Sequence, residues 1–236
     1  MSRWSYHIPI LGYHRVGDFR SDHVPTVSAE AFERQLGWLA RWRYQVVPLE
    51  VLAGYFDRGK PLPRRTVVIT FDDGYEETGT VAWPLLKRFG MPATVFVTPG
   101  EVGLPGFVTW AMLVQMARDG FTVGSHTTHH NYLPLVPPDH LPEEIVESKR
   151  IIETHIGQPV QCISYPVGGF TPEALRLVQD AGYQVGCTTN RAHTLRHVDR
   201  FALRRIKVTE RDSQPLLFRV KLSGYYDAFR ELKRPS

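Results

Sequence analysis

The sequence has little cysteine, no long apolar run and no cluster of basic residues, and each absence excludes a class of protein. Its 236 residues include two cysteines, Cys162 and Cys187, which form no Cys-x-x-Cys pair, so no disulfide framework is implied. We expect two buried thiols, with a redox or nucleophilic role as the alternative. The net charge of +4 comes from scattered lysines and arginines, which excludes a basic stripe for nucleic acid.

The N-terminal segment is apolar only in short stretches. Tyr6, His7 and His14 interrupt residues 1–16, which makes this segment too short and too polar for a signal peptide or a membrane span. We therefore expect no membrane span, and a cytoplasmic location for the chain as written, or an extracytoplasmic one if a leader has been removed.

The composition is that of an ordinary globular protein, with 42% hydrophobic and 22% charged residues. The length suits one sizeable core. We expect a single domain over residues 1–236, with a C-terminal tail that is helical from about residue 213.

Apolar runs of strand length alternate with helical patterns, which is typical of repeated βα units around a parallel sheet. The candidate strands are Ile8 to Tyr13, Tyr44 to Val47, Thr66 to Phe71, Ala93 to Val97, Phe121 to Gly124, Cys162 to Tyr165, Gln184 to Thr188 and Phe201 to Val208. The predicted helices begin after the capping residues Ser28, Thr109 and Thr171, and a fourth covers Pro142 to Ile156.

The strand TVVITF runs directly into two adjacent carboxylates, Asp72 and Asp73. Like charges raise each other's pKa, so such a pair needs a cation or a proton beside it. A solvated turn is the alternative, since Asp-Asp-Gly often forms one. Functional groups collect at the C-terminal ends of parallel strands, which makes the pair a candidate site.

Three histidines follow another strand end, in GSHTTHH. His126 and His130 are spaced to lie on the same side of a helical turn, as two ligands of one metal require, whereas a lone histidine is more often structural. Two histidines and one carboxylate leave coordination positions open, which is typical of a catalytic site. Zinc fits this ligand set first, and cobalt, nickel, manganese and iron are also compatible with it.

The segment SYPVGG follows a third strand end. Pro166 fixes a backbone dihedral, and Gly168 and Gly169 let the backbone approach a ligand closely, so free N–H groups could face a substrate oxygen. An ordinary strand-to-helix turn is the alternative.

Together these segments resemble the first three motifs of the polysaccharide deacetylase family, the NodB homology domain, a carbohydrate esterase type. The similarity covers nearly the whole chain, through LGYHRV (11–16), FERQLGWL (32–39), VTW (108–110), AGYQVGCTT (181–189) and FALRRIKV (201–208). The SYP form is similar to the exopolysaccharide deacetylase subgroup. The resemblance implies an α/β fold, a distorted (β/α) barrel with about seven parallel strands.

The resemblance also implies a metal-dependent hydrolase that removes N-acetyl groups from a sugar or polysaccharide of GlcNAc type. Asp73, His126 and His130 would hold the metal. Asp72 would be the general base as the water activated by the metal attacks the acetamide carbonyl. The rival interpretations are an amidohydrolase of the same scaffold acting on another non-peptide C–N bond, and an inactive carbohydrate-binding homologue.

Two roles lack a clean match to the family pattern. Ser164 stands where many members carry an arginine that orients the base, and Arg205, or else Arg204, is the candidate substitute, with a surface charge as the alternative. For the general acid, His197 lies in a Leu-x-His match and competes with His14. A structural or substrate-contacting role is the alternative for each histidine.

The remaining candidates would contact the substrate. By the resemblance, Val167 occupies the family position whose backbone N–H helps to stabilise the oxyanion. Tyr165 in the same motif is a candidate substrate-binding residue. Trp110 is either an apolar wall for the acetyl group or sugar ring, or a core residue at a helix N-terminus. His129 is interpreted as a rim residue rather than a third imidazole ligand.

Overall fold

The computed structural model of the chain describes residues 8–18, 24–58, 61–189 and 199–226. Within these ranges the strands are β1 (Ile10–Tyr13), β2 (Arg15–Val16), β3 (Thr26–Val27), β4 (Gln45–Val46), β5 (Thr66–Phe71), β6 (Thr94–Val97), β7 (Thr122–Ser125), β8 (Cys162–Ser164), β9 (Val185–Thr188), β10 (Leu203–Arg204) and β11 (Ile206–Lys207). The α-helices in the same ranges are α1 (Ala29–Arg41), α2 (Val51–Arg58), α3 (Trp83–Phe89), α4 (Trp110–Arg118), α5 (Ser148–Ile156), α6 (Pro172–Asp180) and α7 (Pro215–Lys221).

Eight of the strands in the described residues form a nearly closed parallel barrel, in the order β10-β9-β8-β7-β6-β5-β1-β11. The predicted (β/α) barrel is confirmed, with eight strands in place of about seven. These eight strands come from seven of the predicted ones, since the candidate Tyr44 to Val47 contains β4, which pairs with β5 outside this order. The predicted strand Phe201 to Val208 is divided into β10 and β11, which pair with β9 and β1 at opposite ends of the sheet. The chain at Arg205 therefore joins the two edges of the barrel.

Side chains alternate between the barrel interior and the layer of helices outside it. On β5, Val67 and Ile69 pack in the outer core, whereas Val68 belongs to a separate inner cluster. That inner cluster contains Ile10, Leu49, Leu52, Ala53, Val68, Phe96, Cys162, Val185, Cys187 and Leu203. Because the alternation has a period of two, Asp72 continues the inward row of β5.

The helices begin where the capping residues predict. Ser28, Thr109 and Thr171 each accept a hydrogen bond from the backbone N–H three residues later, at 3.3, 3.2 and 3.1 Å. The predicted helix Pro142 to Ile156 consists of a π-helical turn over Glu143–Glu147 followed by α5.

Both cysteines are buried free thiols, and burial raises the pKa of each, that of Cys187 to about 12. A reactive thiolate is therefore not favoured at either position. Among the described residues, no helix has the length and apolar character that crossing a membrane would require.

Candidate active site

The carboxyl ends of β5 and β7 bring Asp73, His126 and His130 together at one end of the barrel. Nε2 of His126 and Nε2 of His130 each lie 3.4 Å from Oδ1 of Asp73. The potential ligand atoms of the three residues all lie within 4.8 Å of one another. In the part of the chain that the structure describes, no other group of three His, Cys, Asp or Glu residues has this geometry. We refer to these three residues as the triad.

The backbone turns sharply at the residues of the triad. Neighbouring side chains of an extended strand diverge, and Asp73 departs from the strand with a left-handed φ of 69°. The predicted helical turn between His126 and His130 is wrong, because the segment is a bend with left-handed φ values of 65° at Thr127 and 58° at His130. The two imidazoles converge because of this bend and not because of helical spacing.

His126 is oriented by the backbone of β8. Its buried ring places Nδ1 2.7 Å from the carbonyl oxygen of Ser164, which leaves Nε2 facing Asp73. A hydrogen bond of this kind to the second ring nitrogen is typical of histidines that ligate a metal, since it fixes the ring orientation and the tautomer.

The electrostatics of the triad suit a divalent cation. Burial alone raises the pKa of Asp73, but hydrogen bonds from His126 and His130 hold it well below its usual value. The hydrogen bond to Asp73 raises the pKa of His130, although burial opposes this. An ionised carboxylate therefore faces two ring nitrogens, a donor set that binds zinc and similar metals.

Asp72 forms a separate, buried ion pair with Arg205. The guanidinium donates from Nη1 to Oδ1 at 2.6 Å and from Nη2 to Oδ2 at 2.5 Å. Nη1 also donates to the hydroxyl of Thr70 at 3.2 Å, and Nη2 to the hydroxyl of Ser164 at 2.9 Å. Two planar hydrogen bonds fix the carboxylate in position and orientation.

The ion pair controls the charge of Asp72. Burial by itself raises the pKa of the carboxyl, but the Arg205 guanidinium, together with His126 and His14, holds it below its usual value. Asp72 is consequently ionised at neutral pH.

The closure of the barrel explains why Arg205, and not Arg204, contacts Asp72. Arg205 lies between β10 and β11, and its side chain enters the barrel interior. The side chain passes next to Gly12 on β1, where an added Cβ would be in ordinary van der Waals contact with it, 3.7 Å from the Cβ of Arg205 and 3.9 Å from its guanidinium carbon.

Of the two histidines considered as proton donors, only His14 lies within the described residues. His14 lies at the end of β1, with Nε2 3.8 Å from Oδ2 of Asp72. Burial lowers its pKa, although the nearby Asp72 and Asp73 act in the opposite direction. His197 lies outside the described residues, so its role stays a prediction.

Val167 lies in the turn that follows β8, with a left-handed φ of 57° and a side chain that is 74% exposed. The hydroxyls of Thr188 and Thr189 donate to the carbonyls of Gly168 and Val167, at 2.6 and 3.1 Å, and fix this turn. The role of the Val167 N–H stays a prediction.

The structure does not bring the Tyr165 side chain to the triad. The strand alternation turns Tyr165 away from the barrel interior and into the outer core. There the side chain is 1% exposed, and its hydroxyl donates to the carbonyl of Phe201 at 2.9 Å. The ring of Trp110 stacks on His155 of α5 with centroids 4.0 Å apart and packs, partly buried, against the outer core, so its role at the substrate stays a prediction. His129 directs Nδ1 to Glu144 at 3.0 Å and is half exposed.

Two residues of the site were missed by the sequence reasoning. Thr70 could have been found, because it lies two residues before Asp72 on the inward face of the same strand. Glu144 carried no signal, since it lies in a helical segment and contacts the His126 loop only in the folded chain.

The chain is similar to known deacetylases. A family model described as polysaccharide deacetylase matches residues 59–186, just over half of the chain. A Bacillus subtilis (strain 168) protein, YxkH, provisionally named a polysaccharide deacetylase, is 33% identical over 202 residues, which are 86% of this chain and 71% of that protein. A Staphylococcus aureus (strain MSSA476) protein named poly-beta-1,6-N-acetyl-D-glucosamine N-deacetylase is 26% identical over 220 residues, 87% of this chain and 73% of that protein.

The fold is also shared with a solved structure. The structure of the Streptococcus pyogenes deacetylase PplD in complex with acetate aligns with this chain with a TM-score of 0.85 at 24% sequence identity. The alignment covers 91% of this chain and 97% of that one, and it shows the same barrel fold.

Proposed function

Because the chain belongs to the polysaccharide deacetylase family, we propose that it removes N-acetyl groups from a GlcNAc-containing glycan by a metal-dependent mechanism. The proposal is supported most by one observation: the triad converges on a common point beside a separately held carboxylate, Asp72. The GlcNAc type of substrate follows the name of the similar S. aureus protein.

The triad would hold the metal. One carboxylate oxygen and two imidazole nitrogens leave coordination positions for water and substrate, as catalytic sites require. When bound, a divalent cation would act as a Lewis acid that lowers the pKa of the attacking water towards about 7 and polarises the acetamide carbonyl. Zinc is the first choice, with cobalt, nickel, manganese and iron as the alternatives that metal analysis would distinguish.

Asp72 would accept the proton of the attacking water. Its ion pair with Arg205 keeps it ionised and oriented, so Arg205 is a positioning residue and Asp72 is the base. A carboxylate with a lowered pKa is a weak base towards ordinary water. Proton transfer to Asp72 therefore requires a water of lowered pKa, which couples the proposed base to the proposed metal site.

The tetrahedral oxyanion would be stabilised by a hydrogen bond from the backbone N–H of Val167. One donor of this kind typically lowers the activation free energy by about 3 kcal/mol. The departing amine needs a proton, and His14 and His197 are the two proposed donors. Nε2 of His14 lies 3.8 Å from Oδ2 of Asp72, and because burial lowers the pKa of His14, this ring would donate after taking up the proton that Asp72 accepts from the water.

The experiment that tests the proposed function compares Asp73→Ala, His126→Ala and Asp72→Asn with the wild type. We expect the first two variants to lose both bound metal and acetate release, because each removes a ligand. Asp72→Asn should keep the metal and lose about 10²- to 10⁴-fold in rate, the usual contribution of a general base. Metal content and acetate release from N-acetylglucosamine oligomers are the two measurements.

Asp180→Asn, an exposed substitution on α6, is the matched control and should behave as the wild type. Full activity in Asp72→Asn would reject the general base. Acetate release that persists in Asp73→Ala after treatment with a chelator would reject the metal mechanism. A metal-loaded wild type that releases no acetate from any N-acetylated glycan would favour another C–N substrate.

A further inference from the structure

The loop between His126 and His130 is held by a buried carboxylate that belongs to neither the triad nor the Asp72 ion pair. Glu144 is 3% exposed and lies in the π-helical turn before α5. Its Oε2 accepts a hydrogen bond from the backbone N–H of His129 at 3.0 Å. Its Oε1 accepts one from Nδ2 of Asn131 at 2.7 Å and lies 3.0 Å from Nδ1 of His129. One carboxylate thus binds the residues on both sides of His130.

The backbone at this point requires such support. His130 has a left-handed φ of 58°, and Thr127 has one of 65°. Non-glycine residues in this region cost on the order of 1–3 kcal/mol each and persist only where their surroundings hold them. Without external contacts, the segment would relax towards an ordinary conformation and turn the His130 imidazole away from Asp73.

Among the described residues, the other hydrogen bonds to this loop hold its middle. The N–H of Thr128 donates to the backbone carbonyl of Glu144 at 3.1 Å, and the carbonyl of Thr128 accepts from the N–H of Gly100 at 3.1 Å. The hydroxyl of Thr128 donates to the backbone carbonyl of Glu143 at 2.6 Å. These hydrogen bonds all involve Thr128, two residues before His130. The residues on either side of His130 are instead bound by the Glu144 side chain.

We propose that Glu144 is a positioning residue that fixes His130 in its metal-binding conformation and so sets the affinity of the triad for its cation. This inference rests on the proposed metal-dependent function. Glu144 acts through His129 and Asn131 and not by ligating the metal. Its removal should weaken metal binding even though all three ligands remain in the chain.

Glu144→Gln is the informative substitution because it keeps the size of the side chain. The amide offers one acceptor oxygen instead of two, and its NH₂ group would face N–H donors that then stay unpaired in a buried site. Loss of an outer-shell partner typically lowers metal affinity about 10- to 100-fold. We expect a loss of this size for Glu144→Gln and a smaller one for Asn131→Ala, which removes only one of the hydrogen bonds to Glu144.

The test is a zinc titration of metal-free protein, in competition with a chromogenic chelator, on the wild type, Glu144→Gln, Asn131→Ala and Asp73→Ala. Glu143→Gln is the matched control, since the neighbouring side chain is exposed and its backbone carbonyl is retained; its affinity should equal that of the wild type. The melting temperature of each variant is measured with and without zinc. The zinc dependence of acetate release is a third readout, and in Glu144→Gln it should move to higher zinc concentration.

The outcomes separate this inference from the proposed function. Tight zinc binding by the wild type that is lost in Asp73→Ala but unchanged in Glu144→Gln would overturn the role of Glu144 alone. A lower melting temperature without zinc, together with wild-type affinity, would show that Glu144 is merely structural. Equal binding by the wild type and Asp73→Ala would overturn the metal site and the inference together. If Glu144→Gln does not fold, wild-type affinity in Asn131→Ala would overturn the proposal, and a weaker affinity would support it.

Discussion

The two halves of the barrel interior are built from the same strands but hold opposite kinds of side chain. The half at the amino ends of the strands is filled by the inner apolar cluster, which includes Ile10 and Val68. The half at the carboxyl ends holds Asp72, His126 and Arg205, which are also buried. The apolar half needs only shape complementarity, whereas every charge in the polar half needs a partner.

The comparison also shows where the chain departs from relaxed geometry. Of the six left-handed non-glycine positions in the described residues, Asp73, Thr127, His130 and Val167 follow strands at the carboxyl end, whereas Arg43 and Arg65 precede β4 and β5. Strained backbone tends to lie where a functional arrangement requires it and where the surroundings hold it. One half of the barrel stabilises the fold, and the other half depends on that stability to hold a polar site.

The largest effect is expected from Arg205→Ala in the polar half. Removing one partner of a buried ion pair leaves an uncompensated charge and typically costs about 3–5 kcal/mol in free energy of unfolding. Arg205→Lys should cost less, because lysine keeps the charge but not the two planar hydrogen bonds. Urea denaturation of metal-free protein is the measurement. Arg204→Ala is the control with the smaller loss, and an equal loss in both alanine variants would contradict the importance of the ion pair.

Arg205→Ala should also change the dependence of stability on pH. In the wild type the pKa of Asp72 is lowered, so its contribution is complete above the unfolded-state value of about 3.9 and is lost as pH falls further. Without Arg205, the pKa of Asp72 loses its strongest lowering influence while burial still raises it, so less of the contribution of Asp72 to stability remains near neutral pH. The stability difference between wild type and variant should therefore be larger near pH 7 than near pH 4. A difference independent of pH would contradict the assignment.

A slightly smaller effect is expected from Ile10→Ala in the apolar half. Truncating a buried isoleucine removes packing and leaves a cavity, which typically costs about 2–5 kcal/mol. Because no charge is involved, the loss should be the same near pH 4 and near pH 7, and zinc affinity should not change. Denaturation at the two pH values is the measurement. A strong pH dependence would show that the two halves are not independent.

A third substitution lies at the boundary of the two halves. A Cβ at Gly124 would lie 2.6 Å from a ring carbon of Phe96 and 3.0 Å from the carbonyl oxygen of Cys162. Overpacking of this kind typically costs about 1–3 kcal/mol. We expect Gly124→Ala to lower stability and also to weaken zinc binding, since His126 lies two residues further along the chain. Unchanged zinc affinity would show that β7 absorbs the strain without moving the ligand.

The smallest effect, of opposite sign, is expected from Gly37→Ala in α1. Nothing lies within 4 Å of the added Cβ. Alanine in a helix interior is favoured over glycine by roughly 0.5–1 kcal/mol. A small rise in melting temperature, with unchanged zinc binding, is the expected result. A loss of stability would mean that α1 requires glycine for another reason.

Much of the site could be predicted because its residues follow strand ends. The position of Asp72 and Asp73 after TVVITF and of His126 after TVGS depends on local pattern and on parallel pairing alone. The inward direction of Asp72 follows from the two-residue period of a strand. The same period turns Tyr165 outward, whereas its place in the SYPVGG motif predicts a substrate contact.

The sequence by itself therefore determined the alternation of strands and helices and the positions of the strand ends, because these depend on periodicity and on neighbours along the chain. The barrel and the grouping of Asp73, His126 and His130 were implied by the resemblance to the deacetylase family. The tertiary structure alone decided that Arg205 and not Arg204 contacts Asp72, that a bend and not a helical turn joins the two histidines, and that Glu144 holds this bend. Each of these depends on contacts between segments distant in sequence, which exist only after the barrel has closed.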